Sequence, residues 1–323
     1  MKKVKKILIV AGDPNSINSE IIFKSWLKLN NSIKKKIYVI ANYDLIQEQF
    51  SELNYSLRLK SVDNLNITGE SNELKIINVG LKFHKVFSVE KKNASSYVLN
   101  CLDLAHKLAL NDDVLGLINC AIDKSLLSKK NIGVTEYLAT KCGLNNKSEV
   151  MMIKNDQLAV CPITTHLDIR SISNKINKKL IITKINVINS WFKKTFKRQP
   201  AIAVLGLNPH NAELRKNSEE KKIIIPAIKN LKKSGVKLDG PLSSDTIFIN
   251  NYKNYDLIVG MYHDQILGPF KALYKFDAIN LTLGLKYIRV SPDHGVAVDK
   301  IKKKTSSAVS LIKCFDYIDK FSI

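Results

Sequence analysis

Arginine is nearly missing from this chain of 323 residues: Arg58, Arg170, Arg198, Arg215 and Arg289 stand beside 46 lysines, although the formal net charge is +22. Arginine supplies the planar fork that grips phosphates and reads base edges, whereas lysine is a solvated point charge. The lysines are dispersed, as at Lys2-Lys3, Lys34 to Lys36, Lys178-Lys179 and Lys302 to Lys304, with no regular aromatic interleaving. The excess reads as solvated faces, and neither nucleic acid nor a membrane is expected as a partner.

Cysteine is sparse as well. Five cysteines, at positions 101, 120, 142, 161 and 314, are odd in number and form no C-x-x-C pair. That excludes a disulfide framework and a zinc ribbon, and a reducing cytoplasm is expected. No stretch approaches the roughly 20 apolar residues of a membrane span. The short apolar run Ile7 to Ala11 after the basic start is too brief for a secretory signal core. Neither G-x-G-x-x-G nor G-x-x-x-x-G-K-[ST] occurs, so a Rossmann fingerprint and a P-loop are both excluded. Internal repeats and low-complexity linkers are missing too.

What remains is ordinary globular material, 45% apolar and 25% charged, in a chain too long for one hydrophobic core. Two domains, or one α/β unit with two lobes, are expected. Short Val- and Ile-rich runs predict parallel strands buried on both faces at 6–11, 36–41, 114–119, 158–163, 201–207 and 256–261. Helical patterns lie between them at 19–29, 94–110, 175–196 and 218–233. Strands alternating with helices give the α/β class with a mostly parallel sheet.

Ligands in such folds bind beyond the carboxyl ends of the strands. Three of the six histidines lie there, in Thr164-Thr165-His166, Asn208-Pro209-His210 and Tyr262-His263-Asp264-Gln265. Their spacings of 44 and 53 residues match no local metal motif, and each alone is readily structural. Repetition at three strand ends is what points to a Lewis-acid site, unless the strands belong to different sheets. Farther on, Arg289 follows an apolar run in a chain that avoids arginine, which predicts either a carboxylate or phosphate fork or an ordinary salt bridge.

At these residues the sequence resembles the 4-hydroxythreonine-4-phosphate dehydrogenase family of pyridoxal phosphate biosynthesis. Segments 164–167, 206–210, 240–246, 261–265, 280–285 and 288–295 follow its motifs in order across nearly the whole chain. The resemblance implies an isocitrate/isopropylmalate dehydrogenase-like fold of two α/β/α lobes around mostly parallel sheets, with a cleft between them. Lobe boundaries are expected at 1–130 plus about 296–323, and at 131–295. The last stretch, 306–321, is expected as an amphipathic helix returning to the first lobe.

The resemblance also implies a homodimer with a shared active site and a divalent metal (Zn, Mg or Co) held by His166, His210 and His263, the last contributed across the interface. Substrate contacts carry over to Thr135, Lys271, Asn280 and Arg289. Lys271, Asp245 and Asp264 are candidate catalytic groups; for the two aspartates, fixing the histidines and loops is an equal alternative. Asp293, His294 and Gly295 are expected to approach NAD or NADP. The implied reaction is oxidation of a small phosphorylated hydroxy amino acid, then decarboxylation. A related dehydrogenase of phosphorylated threonate or erythronate, and a non-catalytic metal- or ligand-binding paralogue, are the alternatives.

The chain departs from the family pattern in its loops. Two glycines of the opening loop become Ser16 and Asn18, and a histidine becomes Val134 in Gly133-Val134-Thr135. A glycine-rich loop is replaced by the shorter Asn211 to Asn217, and Ala272 to Asp277 also lacks the family's glycines. Because glycine permits positive φ and close ligand approach, these loops are expected to be reshaped.

Overall fold

The computed structural model describes residues 5–67, 70–127, 133–144, 148–249, 251–275 and 277–321. The chain divides into two compact units, Met1–Gly143 with Leu285–Ile323, and Leu144–Gly284. In chain order the first unit opens with β1 (Lys6–Val10), α1 (Asn18–Lys28), α2 (Asn31–Lys36), β2 (Ile37–Ala41), α3 (Tyr43–Glu52), β3 (Arg58–Val62) and β4 (Glu73–Asn78). It continues with α4 (Lys91–Ala109), β5 (Val114–Asn119) and α5 (Val134–Lys141). The second unit holds β6 (Val150–Lys154), β7 (Ala159–Thr164), α6 (Ile169–Lys175), α7 (Lys178–Phe196), β8 (Ile202–Leu205) and α8 (Ile225–Lys233). It ends with β9 (Leu238–Leu242), α9 (Ser244–Ile247), β10 (Leu257–Tyr262), α10 (His263–Tyr274) and β11 (Ile279–Leu283). The chain then returns to the first unit through β12 (Arg289–Pro292) and α11 (Val309–Asp319).

Strands of the first unit run β3-β4-β2-β1-β5-β12, and every described pair is parallel. β1 and β2 are buried at every position, which is why their sequences are continuous apolar runs rather than alternating ones. On one face, Tyr97, Val98, Cys101, Leu102 and Ala105 of α4 share a core with Leu8, Val10, Tyr38 and Leu117. On the other face, a Cβ added at Gly116 would lie 3.0 Å from the Ile318 side chain, so α11 sits close against β5. Helices on both faces of a parallel sheet are the α/β/α arrangement that the strand–helix alternation predicts.

The second unit runs β11-β6-β7-β10-β8-β9. β6 is antiparallel to both its neighbours, and the other described pairs are parallel. Ile266, Leu267 and Phe270 of α10 form a core with Val160, Ala203, Leu205 and Ile258. Cys161, on the opposite side of β7 from Val160, is buried, and α7 packs against β7. The helical pattern at 175–196 is interrupted in the structure: α6 ends at Lys175, and Asn177 caps α7 by accepting from Leu180 N. Asn30 and Asn42 cap α2 and α3 in the same way, so part of the asparagine content has a local use.

The second unit is narrower than the expected span 131–295. Residues 133–143 and 285–295 fall in the first unit, where β12 pairs with β5 and Arg289 bonds both Asn119 at the end of β5 and Thr135 on α5. No helix among the described residues is long and apolar enough to cross a membrane.

Candidate active site

Three neighbouring strands of the second unit, in the order β7-β10-β8, each deliver a histidine at their carboxyl ends. They belong to one sheet, so the separate-sheet alternative left by the spacings falls away. His166 stands two residues past β7, with a left-handed φ of 51°. His263 opens α10 directly after β10, and His210 lies in a 3-10 turn, Pro209–Leu214, beyond β8.

The His166 and His263 rings approach to 5.8 Å between centroids at an interplanar angle of 35°. His263 Nδ1 lies 2.6 Å from Asp264 Oδ1. With the proton on Nδ1, Asp264 accepts it and Nε2 presents its lone pair, a common way to orient a metal-ligating imidazole. His210 Nδ1 is 3.9 Å from Asp245 Oδ2 of α9, beyond hydrogen-bond reach. Among the described residues no three His, Cys, Asp or Glu side chains are grouped to hold a metal ion alone. Two approaching imidazoles, one of them bonded to a carboxylate, nonetheless fit a divalent cation whose coordination is completed by further ligands.

The turn that carries His210 is left-handed throughout: His210, Asn211, Ala212, Glu213 and Leu214 have φ between 48° and 55°. Left-handed backbone costs an L-residue about 1–2 kcal/mol, so five in succession require anchoring. Fully buried Glu220 provides it, accepting from Leu207 N and Asn208 N at 2.8 Å each and from the Asn208 side chain. Burial pushes the Glu220 carboxyl up, but its hydrogen bonds from Asn208 and Leu207 outweigh that and hold it below the ordinary range. Asn211 Nδ2 donates to Pro241 O at 3.1 Å.

Lys271 lies on α10, and burial lowers its pKa. Asn280 on β11 has a buried Oδ1 with no hydrogen-bond partner among the described residues. Of the second stretch that lacks the family's glycines, Phe276 lies outside the described residues, and Lys275 has a φ of 54°.

The remaining expected residues lie in the first unit. Arg289 is 4% exposed, with Nε donating to Asn119 Oδ1 at 2.6 Å and Nη1 donating to Thr135 Oγ1 at 3.2 Å. Burial lowers its pKa to about 10, which leaves it charged at neutral pH. The amide and hydroxyl fix the plane of the guanidinium, as recognition of an anion requires. Val134 packs against the apolar core of the first unit, so the position of the family's histidine is hydrophobic here. His294 Nδ1 lies 2.9 Å from Gly295 O, its Nε2 is buried without a partner among the described residues, and burial lowers its pKa. Asp293 N is held by Ser310 Oγ at 2.8 Å.

In the opening loop Ser16 Oγ donates to Asp13 O and accepts from Asn18 N, while Asn18 Nδ2 donates to Ala121 O. Neither Ser16 nor Asn18 has positive φ, whereas the retained Gly12 does, at 82°. A Cβ at Gly12 would lie 2.5 Å from Ala121 O.

Asn119, Glu220 and the side chains of Thr164 and Gln265 support these sites although no sequence signal marked them individually. A glutamate 12 residues past Asn208 looks like any helix glutamate until the fold brings it back.

The family model of the pyridoxal phosphate biosynthetic protein PdxA matches residues 33–318. The protein named 4-hydroxythreonine-4-phosphate dehydrogenase in Sulfurihydrogenibium sp. (strain YO3AOP1) is 36% identical over 318 residues, 96% of each chain. Its namesake in Aquifex aeolicus is 36% identical over 327 residues, covering 98% of this chain and 99% of the relative. The crystal structure of 4-hydroxythreonine-4-phosphate dehydrogenase from Klebsiella pneumoniae superposes with a TM-score of 0.85 at 26% identity, over 99% of this chain and 100% of that one. On fold, family model and full-length similarity together, the chain belongs to the PdxA family of pyridoxal phosphate biosynthesis and is a dehydrogenase of that family.

Proposed function

We propose that the chain oxidises 4-phosphohydroxy-L-threonine to 2-amino-3-oxo-4-phosphohydroxybutanoate with NAD or NADP, and that this β-keto acid loses CO2 to give 3-amino-2-oxopropyl phosphate. The substrate class is taken from the names of the relatives. The observation that carries the chemistry is the approach of His166 to His263 at one sheet edge. When bound, a divalent cation (Zn, Mg or Co) supplies Lewis acidity toward the charge that develops on the substrate oxygen, and the nicotinamide accepts the hydride.

His166, His210 and His263 are the residues we assign to hold the cation, in a set completed across a homodimer. Asp264 orients His263, and Asp245 is the carboxylate beside His210. Arg289, with Thr135 and Asn119 fixing its plane, binds an anionic group of the substrate. Asn280 Oδ1 accepts from a substrate donor. Lys271 pairs with a second anionic group; its lowered pKa also suits it to exchange the hydroxyl proton. Asp293, His294 and Gly295 are assigned to the cofactor. Five free, buried cysteines suit a reducing cytoplasm.

A second reading, a dehydrogenase of phosphorylated threonate or erythronate, is favoured by Val134, which cannot make the hydrogen bond of the imidazole it replaces. Metal analysis, followed by NADH or NADPH appearance with all three substrates, separates these. Turnover of 4-phosphohydroxy-L-threonine with a divalent metal is expected. Preference for a sugar acid moves the assignment to the second reading, and no metal together with no turnover on any substrate ends both. Full activity in His210→Ala would remove that histidine from the cation set.

A further inference from the structure

The backbone just ahead of His210 is tied down at several points. Gly206 N donates to Leu242 O, and Leu207 N and Asn208 N donate to Glu220. Asn208 O accepts from Asn211 N. Gly206 O accepts from Gln265 Nε2 at 2.6 Å. Gln265 belongs to the first turn of α10, two residues past His263, and is only 8% exposed. Its other amide atom, Oε1, accepts from Met261 N at 2.6 Å. The same Met261 residue offers its carbonyl to Thr164 Oγ1, which donates at 2.7 Å from the end of β7.

These bonds form one continuous lace: Thr164 hydroxyl, Met261 backbone, Gln265 amide, Gly206 carbonyl. It joins the ends of β7, β10 and β8, the strands that lead to His166, His263 and His210. Buried networks of this kind fix geometry because each atom has one partner and no water to substitute for it.

We infer that Gln265 is the positioning residue of the histidine arms on each chain: its side-chain amide fixes the strand end that carries His210 against the one that carries His263, and Thr164 fixes the one that carries His166, so each chain presents its arms at set spacing to a cation set that the partner completes. The inference rests on the proposed cation site. Gln265 acts through the strand ends and contacts neither cation nor substrate. Partners that orient metal ligands in this indirect way typically contribute about 10–100-fold to metal affinity.

The test is Co2+ titration of the full-length protein, followed by visible absorption, which reports coordination geometry. Wild type and four variants are compared, with folding checked by circular dichroism and thermal melting. His263→Ala is the ligand control. Gln265→Glu keeps the acceptor for Met261 N but replaces the donor to Gly206 O with a carboxyl oxygen and adds a charge, whereas Gln265→Met, the uncharged variant, removes both bonds. Thr164→Val removes the third link at nearly constant volume.

The expected result is Co2+ binding weakened about 10–100-fold in the folded Gln265 variants, with a changed absorption band, and a smaller loss in Thr164→Val. A purely structural role would lower the melting temperature while leaving affinity and spectrum of the folded protein unchanged, and that result would overturn the inference while leaving the cation site standing. Failure of wild type itself to bind Co2+ would overturn the cation site and the inference together.

Discussion

The loop from Gly12 to Glu20 in the first unit and the turn from His210 to Leu214 in the second are both poorer in glycine than the family pattern, yet their backbones differ. In the first, the incoming Ser16 and Asn18 adopt ordinary φ and spend their side chains on the carbonyls of Asp13 and Ala121. The one position that needs positive φ keeps its glycine, Gly12. In the second, five successive L-residues retain left-handed φ, and the strain is held by the buried Glu220 and the Asn211 side chain. A missing glycine is thus informative only with its backbone angle: one loop has side-chain hydrogen bonds at the glycine positions and ordinary φ, while the other takes up left-handed backbone with residues poorly suited to it.

Restoring glycine should therefore have opposite signs in the two units. Ser16→Gly removes a buried hydroxyl that serves Asp13 O and Asn18 N and relieves no strain. It is expected to destabilise by about 2 kcal/mol in chemical denaturation. Stabilisation by Ser16→Gly would erase the contrast. Ala212→Gly, at φ 51°, should instead stabilise by about 0.5–1 kcal/mol, the relief exceeding the added entropy of the unfolded chain. A loss of stability there would mean that the turn is not strained.

Acid gives a smaller and local contrast. Burial raises the Asp13 carboxyl of the first loop, so its charge opposes folding at neutral pH, and that penalty is relieved as pH falls through its folded value. Glu219 and Glu220 behave oppositely. The Ser173 hydrogen bond lowers Glu219, and the bonds from Asn208 and Leu207 lower Glu220 against burial. Their stabilisation is complete above the ordinary glutamate value of 4.5 and is lost as pH falls through the folded values. Hydrogen exchange should show the Leu207 and Asn208 amides losing protection below pH 4.5 before the Asn15 amide, which bonds Asp13. The reverse order would contradict the assigned directions.

Much of this architecture is legible in the sequence because it depends on runs of one residue type. The apolar stretch at 114–119 coincides with β5, and the five others fall within a few residues of β1, β2, β7, β8 and β10. β3, with the sequence Arg-Leu-Lys-Ser-Val and three of five positions only partly buried or buried, carries no such run, being an edge strand. The pattern at 218–233 hides a π-helical turn, Glu220–Ile224, ahead of α8, where Pro226 has no N–H to give the preceding turn. The shared sheet edge of the three candidate histidines is legible in their repeated place after strands. Their supports are not, since Gln265 meets Gly206 across 59 residues and Arg289 meets Asn119 across 170. Local periodicity carries no information about such pairs.

The return of β12 to the first sheet has a consequence for biosynthesis. Residues 144–284 form one uninterrupted stretch and can collapse as soon as they leave the ribosome. The first unit emerges earlier but is unfinished: the flank of β5 that pairs with β12 stays open until residues 289–292 are made. Through that interval the nascent chain presents an unpaired strand edge, the kind of surface that invites misassociation and chaperone binding.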